Sequence, residues 1–154
     1  SYTGGFDFNI PEARKWFHPV GYCALGNALP NAIGAKMALP STPVTVLVGD
    51  GGFMFSMPEL LTAKEQNLSL PIIIWENGGY KQIQDDMRIM NIDLVGVEGL
   101  NPDFVKLAEA CHCYSVYADN KEIFVEVFKK ALFTNSPTII IVKENYDWLD
   151  EEKN

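Results

Sequence analysis

The stretch Val44-Thr45-Val46-Leu47-Val48-Gly49-Asp50-Gly51-Gly52 decides the fold. Its first five residues are apolar or β-branched without interruption, as expected for a strand that is covered on both faces of a sheet. A second run of this kind, Leu70-Pro71-Ile72-Ile73-Ile74-Trp75, is followed by Glu76 and then by Asn77-Gly78-Gly79. Each run therefore predicts a central strand that leads directly into a glycine-rich turn.

Helix and strand patterns alternate along the rest of the chain. Five helices are predicted at residues 25–39, 56–67, 80–90, 101–111 and 120–132, and two further strands at 113–117 and 138–142. Ser56 and Glu59 match a capping box, Asn101 with Pro102 is read as a helix start, and Asp119 or Asn120 is expected to cap the last helix. This alternation predicts an α/β domain with a mostly parallel sheet between helical layers, a three-layer αβα fold.

Length and charge limit the classes of protein to consider. The 154 residues fit one domain, and a net charge of −8 argues against nucleic acid or an anionic membrane surface as a partner. We predict a lead-in at residues 1–18 arriving from a preceding domain, a ligand-binding domain at 19–146 and a charged tail at 147–154. The apolar runs are too short to span a bilayer, and no signal-peptide pattern opens the chain.

The three cysteines, Cys23, Cys111 and Cys113, are an odd number without a paired framework. This favours a reducing compartment, and we expect the cytoplasm. Cys111-His112-Cys113 could also be metal ligands, but neighbouring strand residues alternate between faces and the chain has no second ligand pair. A structural role is the favoured interpretation of this triplet.

Each predicted strand end combines glycine with a side chain that can bind a metal ion. Ligands of open parallel sheets bind beyond the carboxyl ends of the strands, and both turns lie at that edge. Glycine allows backbone N–H groups to approach a diphosphate closely. Asp50 offers an anionic oxygen and Asn77 a neutral one, a donor set that suits magnesium when phosphate and water complete the shell. The pattern indicates a site for Mg²⁺ and a diphosphate.

The order and spacing of these two turns resemble the motif of thiamine-diphosphate enzymes, in which G-D-G is followed by N-N after an apolar strand. Asn77 matches the second asparagine of that motif, whereas Glu76 replaces the first. The second asparagine is the usual metal ligand in the family, so the departure is expected to matter little. The resemblance further implies that the backbone carbonyl of Gly79 is the third protein ligand of magnesium.

Residues 21–35 resemble the corresponding segment of the acetolactate synthase and 2-oxo-acid decarboxylase family. By this resemblance, Leu25 is the apolar wedge beneath the cofactor and the Cys23 carbonyl accepts from the aminopyrimidine. Residues 14–19 and 79–83 most resemble 5-guanidino-2-oxopentanoate decarboxylases. Gln82 and Ile83 fall where such enzymes line the substrate cavity, although an ordinary first helical turn explains them nearly as well. The implied cofactor contacts are Cys23, Ala24, Leu25, Gly49, Asp50, Gly51, Gly52, Asn77, Gly79 and Tyr80.

The resemblance implies thiamine diphosphate and Mg²⁺ as cofactors and a 2-oxo acid as substrate, with decarboxylase or acetolactate-synthase-like chemistry. In the family, a glutamate that activates the cofactor belongs to a separate pyrimidine-binding domain, normally of a neighbouring subunit. We therefore expect the C-terminal part of a homo-oligomeric enzyme, without turnover alone.

Three alternatives remain open at this point. The chain could be a naturally split subunit that completes its site with a partner chain. It could be a non-catalytic α/β binding module with a vestigial metal site, or a nucleotide-dependent oxidoreductase. The first turn lacks both G-x-G-x-x-G and a Walker A lysine, which argues against the last alternative.

Overall fold

The computed structural model describes residues 15–19 and 21–149. Most of the predicted lead-in and residues 150–154 of the predicted tail lie outside this range. The helices are α1 (Ala28–Ala38), α2 (Asp50–Met54), α3 (Glu59–Glu65), α4 (Lys81–Ile89), α5 (Phe104–Ala110) and α6 (Lys121–Ala131). The strands are β1 (Val46–Gly49), β2 (Leu70–Glu76), β3 (Tyr114–Tyr117) and β4 (Pro137–Lys143), and a 3-10 turn follows at Asp147–Leu149.

The four strands form one parallel sheet in the order β1-β2-β4-β3. Its two faces are covered by different helices, as the side chains of β4 illustrate. Ile139 and Ile141 pack into a core with residues of α1, α3 and α5, whereas Ile140 and Val142 pack with α6 and Trp148 on the opposite face. Because successive side chains of a strand alternate between faces, a strand buried on both is apolar throughout. The predicted three-layer α/β fold is confirmed.

The pairing of β1 with β2 brings the two predicted turns to the same edge of the sheet. Gly49, the last residue of β1, is in register with Trp75, and β2 ends one residue later at Glu76. Asp50 and Asn77 therefore each begin the segment beyond the edge. Parallel strands leave the sheet at the same edge, which is why two turns 26 residues apart become neighbours.

Among the described residues, no helix is long and apolar enough to cross a bilayer.

The turn expected at Gly49–Gly52 is partly helical. Asp50–Met54 forms the short helix α2, which the two glycines had argued against. The reason is tertiary: Phe53 is fully buried and packs edge-on against Phe104, with ring centroids 6.0 Å apart. Burial of one large aromatic side chain outweighs the unfavourable helix propensity of the preceding glycines.

Two predicted helix starts are wrong. The Ser56–Glu59 capping box does not form, because no side chain caps α3 and the Ser56 carbonyl itself accepts the Glu59 N–H at 3.0 Å. Asn101 does not begin α5; the N-cap is Asp103, whose carboxylate accepts the N–H groups of two residues of the first turn. The predicted cap at Asn120 is confirmed, since its side chain accepts the N–H of Ile123.

Candidate functional site

Asp50 is the centre of the candidate site. Its side chain is fully buried, and its two carboxylate oxygens have very different surroundings. Oδ2 accepts the backbone N–H groups of Asn77, Gly78 and Gly79 at 3.1, 2.7 and 3.2 Å and the side-chain amide of Asn101 at 2.7 Å. Oδ1 accepts only the neighbouring N–H of Gly51, at 2.8 Å. A buried carboxylate is stabilised by such donors, and here one oxygen has nearly all of them.

The 77–79 loop can donate three consecutive N–H groups because its glycines have unusual backbone angles. Gly78 has φ of +84° and Gly79 has φ of +131°, both in the region that side chains disfavour. A Cβ atom on Gly79 would lie 2.6 Å from the carbonyl oxygen of Val97. No backbone N–H of the described residues donates to the Gly79 carbonyl, so this oxygen is available to a ligand.

Residues 97–99 hold this loop from the other side. The Val97 carbonyl accepts the Tyr80 N–H at 3.0 Å and the Gln84 side-chain amide at 2.9 Å, and Gly99 donates to the Gly78 carbonyl at 3.4 Å. Gln84 is almost completely buried at this contact. The loop is therefore fixed between Asp50 and segment 97–99.

The first turn of α2 lies directly against the same loop. A Cβ atom on Gly51 would lie 2.9 Å from the Tyr80 ring and 3.1 Å from the Gly79 carbonyl oxygen, an approach that only glycine permits. Gly49 ends β1 and precedes α2 in an extended conformation. The structure thus brings together Asp50, Gly51, Gly79 and Tyr80, as the sequence predicted.

Leu25 lies on the open side of this arrangement. Its Cδ2 atom would be 3.9 Å from a Cβ on Gly52, and the side chain is 48% exposed. Phe55 is 61% exposed and stands edge-on to Tyr80, with ring centroids 6.3 Å apart. Cys23 and Ala24 precede Leu25 and are also exposed. An exposed leucine and phenylalanine beside a buried carboxylate mark a surface suited to an apolar ligand or partner.

The side chain of Asn77 makes no hydrogen bond to the described residues, although its backbone N–H donates to Asp50. Asp50 Oδ1, the Asn77 amide oxygen and the Gly79 carbonyl oxygen are therefore the oxygen atoms that could coordinate a metal ion at the 77–79 loop. One carboxylate plus neutral oxygens suits Mg²⁺ when phosphate and water fill the other positions. The described residues contain no group of three or more His, Cys, Asp or Glu side chains placed to hold a metal ion. The oxygen donors of this loop fit the predicted ion.

Gln82 and Ile83 lie in the first turn of α4 and are exposed, Ile83 by 46%. Gln82 donates to Asp86 on the same helix at 3.2 Å. The sequence expectation placed both in a substrate cavity, and their position next to Tyr80 keeps them near the candidate site.

Sequence reasoning missed the role of Asn101. Its amide nitrogen lies 2.7 Å from Asp50 Oδ2 and 3.4 Å from Oε1 of Glu76, so that one side chain contacts two carboxylates. The Oε2 atom of Glu76 is buried without a partner in the described structure. An asparagine before proline is a common turn residue, and nothing in the sequence pairs it with a residue in another turn.

The Cys111–Cys113 triplet is structural in character. The Cys113 thiol donates to the Cys111 carbonyl at 3.3 Å, and burial raises the pKa of Cys113 to about 11. A thiol that keeps its proton at neutral pH is a poor nucleophile and metal ligand.

Comparison with known proteins shows the family to which the chain is related. The sequence matches the family described as "Thiamine pyrophosphate enzyme, C-terminal TPP binding domain" over residues 3–142. Thiamine pyrophosphate is another name for thiamine diphosphate. A probable 2-ketoarginine decarboxylase of Pseudomonas aeruginosa is 46% identical over 114 residues, which are 73% of this chain and 20% of that protein. An acetolactate synthase of Mycobacterium bovis is 32% identical over 136 residues, which are 84% of this chain and 22% of that protein.

A solved structure shows the same relationship. The thiamine diphosphate-dependent 4-hydroxybenzoylformate decarboxylase of Rhodococcus jostii superposes with a TM-score of 0.73 and 35% identity, covering 80% of this chain and 24% of that one. The chain thus spans about a fifth to a quarter of the length of these relatives. With the family match over residues 3–142, these findings mean that the chain belongs to the C-terminal thiamine pyrophosphate-binding domain family of thiamine pyrophosphate enzymes.

Proposed function

We propose that this chain provides the diphosphate- and Mg²⁺-binding part of a thiamine-diphosphate enzyme that acts on a 2-oxo acid. The observation that carries the proposal is the surroundings of Asp50: a buried carboxylate with one saturated oxygen and one oxygen that accepts a single N–H. The donors offset the cost of burying the carboxylate, and the second oxygen keeps a lone pair that a divalent cation would use.

In this proposal Asp50, the Asn77 side chain and the Gly79 carbonyl hold the cation. Backbone around Gly49, Gly51 and Gly52 would contact the diphosphate, and Tyr80 would contact the cofactor beside them. Leu25 would be its apolar support, and Cys23 and Ala24 would contact it through their backbone. When bound, thiamine diphosphate supplies the electron sink for cleaving the bond next to the 2-oxo group, while the protein binds, orients and excludes water.

The chain is proposed to be inactive alone. The matched residues make up only 20% and 22% of the relatives, which are therefore about four times as long as this chain. The activating glutamate is expected in a pyrimidine-binding domain of the same or a partner chain, within a homo-oligomer. The exposed Leu25 and Phe55 support contact with such a domain, because both are apolar and Phe55 lies against Gly26, the neighbour of Leu25, and adjoining exposed apolar side chains mark binding surfaces. A split subunit would present the same surface. Decarboxylation of a 2-oxo acid by the purified chain would contradict this part of the proposal.

The substrate is proposed to be a 2-oxo acid of the type used by the decarboxylase relatives, with Gln82 and Ile83 at the cavity wall. The probable 2-ketoarginine decarboxylase is 46% identical, against 32% for the acetolactate synthase, which supports decarboxylation over carboligation. We further propose a cytoplasmic location, which the absence of disulfides among the three cysteines supports.

Calorimetric titration tests the cofactor assignment. Thiamine diphosphate is titrated into the chain with Mg²⁺ and again with a chelator, and NAD⁺ and flavin mononucleotide serve as comparison ligands. We expect saturable binding of thiamine diphosphate that requires Mg²⁺. We expect no binding of NAD⁺ or flavin mononucleotide. A chain that binds a nucleotide instead, or no ligand at all, would contradict the proposal and favour an oxidoreductase or a non-catalytic module.

A further inference from the structure

We propose that Asn101 is a positioning residue whose amide, oriented by Glu76, saturates one oxygen of Asp50 and thereby leaves the other oxygen as the cation ligand. This inference rests on the proposed function, because it concerns how the chain prepares the same site. It involves two residues, Asn101 and Glu76, that the sequence motif does not assign to the metal.

The first step is the count of donors at each oxygen of Asp50. A carboxylate has about four lone-pair positions, two on each oxygen. Oδ2 is approached by four donors, of which the Gly78 N–H and the Asn101 amide, each at 2.7 Å, are the shortest and match its two lone-pair positions. The N–H groups of Asn77 and Gly79 lie farther away, at 3.1 and 3.2 Å. Oδ1 is approached by one. A cation therefore meets a free lone pair only at Oδ1. The Asn101 amide donates one of the hydrogen bonds that occupy the lone pairs of Oδ2.

The second step is the orientation of the Asn101 amide. An asparagine amide has a donor end and an acceptor end that differ little in shape. Here the same end faces Asp50 Oδ2 and, at 3.4 Å, Glu76 Oε1. Reversal would place the amide oxygen against two carboxylate oxygens. Because Glu76 adds a second acceptor on this side, the NH₂ orientation is favoured over the reversed one.

The third step is the support behind Asn101. It stands just before Asp103, which caps α5, and Phe104, which is completely buried against Phe53. Asn101 therefore lies three residues before an aromatic side chain that is anchored in the hydrophobic core. A hydrogen-bond donor supported by packed core residues keeps its position when a ligand replaces water at the 77–79 loop.

The test compares Asn101→Ala with Asn145→Ala by the Mg²⁺ concentration that gives half-maximal thiamine diphosphate binding. Asn145 is an exposed asparagine that lines the same crevice, and it makes no hydrogen bond to Asp50. Loss of a partner that orients a metal ligand is expected to raise the Mg²⁺ midpoint about tenfold to a hundredfold in Asn101→Ala. The control is expected to stay within about twofold of the wild type.

Melting of the ligand-free proteins separates positioning from stability. If Asn101 only stabilised the fold, Asn101→Ala would melt earlier with an unchanged Mg²⁺ midpoint, and the inference would be overturned. Should Asn101→Ala fail to fold, Asn101→Leu keeps about the size and removes the donor without adding a charge, with Asn145→Leu as its control. An unchanged or lower midpoint in Asn101→Leu would equally overturn the inference.

Glu76→Gln tests the orienting part separately. It keeps an acceptor at position 76 and removes the charge, so the midpoint is expected to rise, but by less than in Asn101→Ala. A midpoint equal to that of the wild type would remove Glu76 from the inference. Failure of the wild-type chain to bind thiamine diphosphate with Mg²⁺ would contradict the proposed function itself, whereas wild-type binding with equal midpoints in all variants contradicts only the inference.

Discussion

The carbonyl oxygen of Val97 accepts the side-chain amide of Gln84 at 2.9 Å, although neither residue belongs to the sequence motif of the family. The same carbonyl also accepts the N–H of Tyr80. Segment 97–99 therefore ties the start of α4 to the loop that contacts Asp50. The geometry of the candidate cation site depends on this contact as well as on the motif residues.

Replacing Gln84 with alanine is expected to destabilise the protein by about 1–3 kcal/mol, because the change removes a buried hydrogen bond and leaves a cavity. Gln82→Ala is the matched control. Gln82 is exposed two residues earlier and donates only to Asp86 on the same helix, so its loss is expected to cost less than about 0.5 kcal/mol. Urea unfolding measures both. Equal effects of the two substitutions would argue against the Gln84–Val97 contact.

Gly79→Ala is expected to be destabilising by about 1–3 kcal/mol through backbone strain, and to weaken binding of Mg²⁺ and thiamine diphosphate. The new Cβ would lie 2.6 Å from the Val97 carbonyl at a φ of +131°. Gly99→Ala serves as the control, since a Cβ there meets nothing within 4 Å. Thermal unfolding with and without ligands gives both quantities, and a Gly79→Ala protein as stable as Gly99→Ala would refute the described loop conformation.

Leu25→Ala separates a cofactor contact from a core residue. Because Leu25 is 48% exposed, its loss is expected to change stability by less than about 1 kcal/mol while clearly weakening thiamine diphosphate binding. Leu29, one turn later, is 1% exposed, and Leu29→Ala is expected to cost about 2–5 kcal/mol. If Leu25→Ala left cofactor affinity unchanged in calorimetry, the wedge assignment would be wrong.

Stability is expected to fall at alkaline pH through Cys113. Burial raises its pKa from 9.0 to about 11 in the folded state, so the folded protein keeps a proton that the unfolded chain loses earlier. The stabilising contribution is complete below about pH 9 and is lost as the pH rises through about 11. Unfolding midpoints measured from pH 8 to 11 should decline less in Cys113→Ala than in the wild type. Parallel declines would show that other groups cause the loss.

The sequence was sufficient to predict the fold and the approach of Asp50 to the 77–79 loop, because both follow from the strand pattern. Apolar runs at 44–48 and 70–75 predict buried parallel strands, and parallel strands bring Asp50 and the 77–79 loop to one edge. The helix at Asp50–Met54 was missed because glycine propensity opposes it and only the burial of Phe53 reveals it.

The contacts made by Asn101 and Gln84 could not be predicted for a different reason. Each joins residues far apart in the sequence, through a polar side chain whose local pattern is ordinary. Asn101 has the sequence pattern of a turn residue and Gln84 that of a surface helix residue. Asn101 nevertheless donates to Asp50, and Gln84 donates to the Val97 carbonyl beside the 77–79 loop. Polar contacts of this kind depend on the final packing of α4 and α5, which no periodicity encodes.

The most direct test of the central claim is calorimetric titration of thiamine diphosphate with Mg²⁺ into wild-type and Asp50→Ala protein, with the exposed Asp93→Ala as control. The account predicts Mg²⁺-dependent binding to the wild type and to Asp93→Ala, and no Mg²⁺-dependent binding to Asp50→Ala. Asp50→Ala protein that bound the cofactor and the ion with wild-type affinity would contradict the claim that this carboxylate holds the cation.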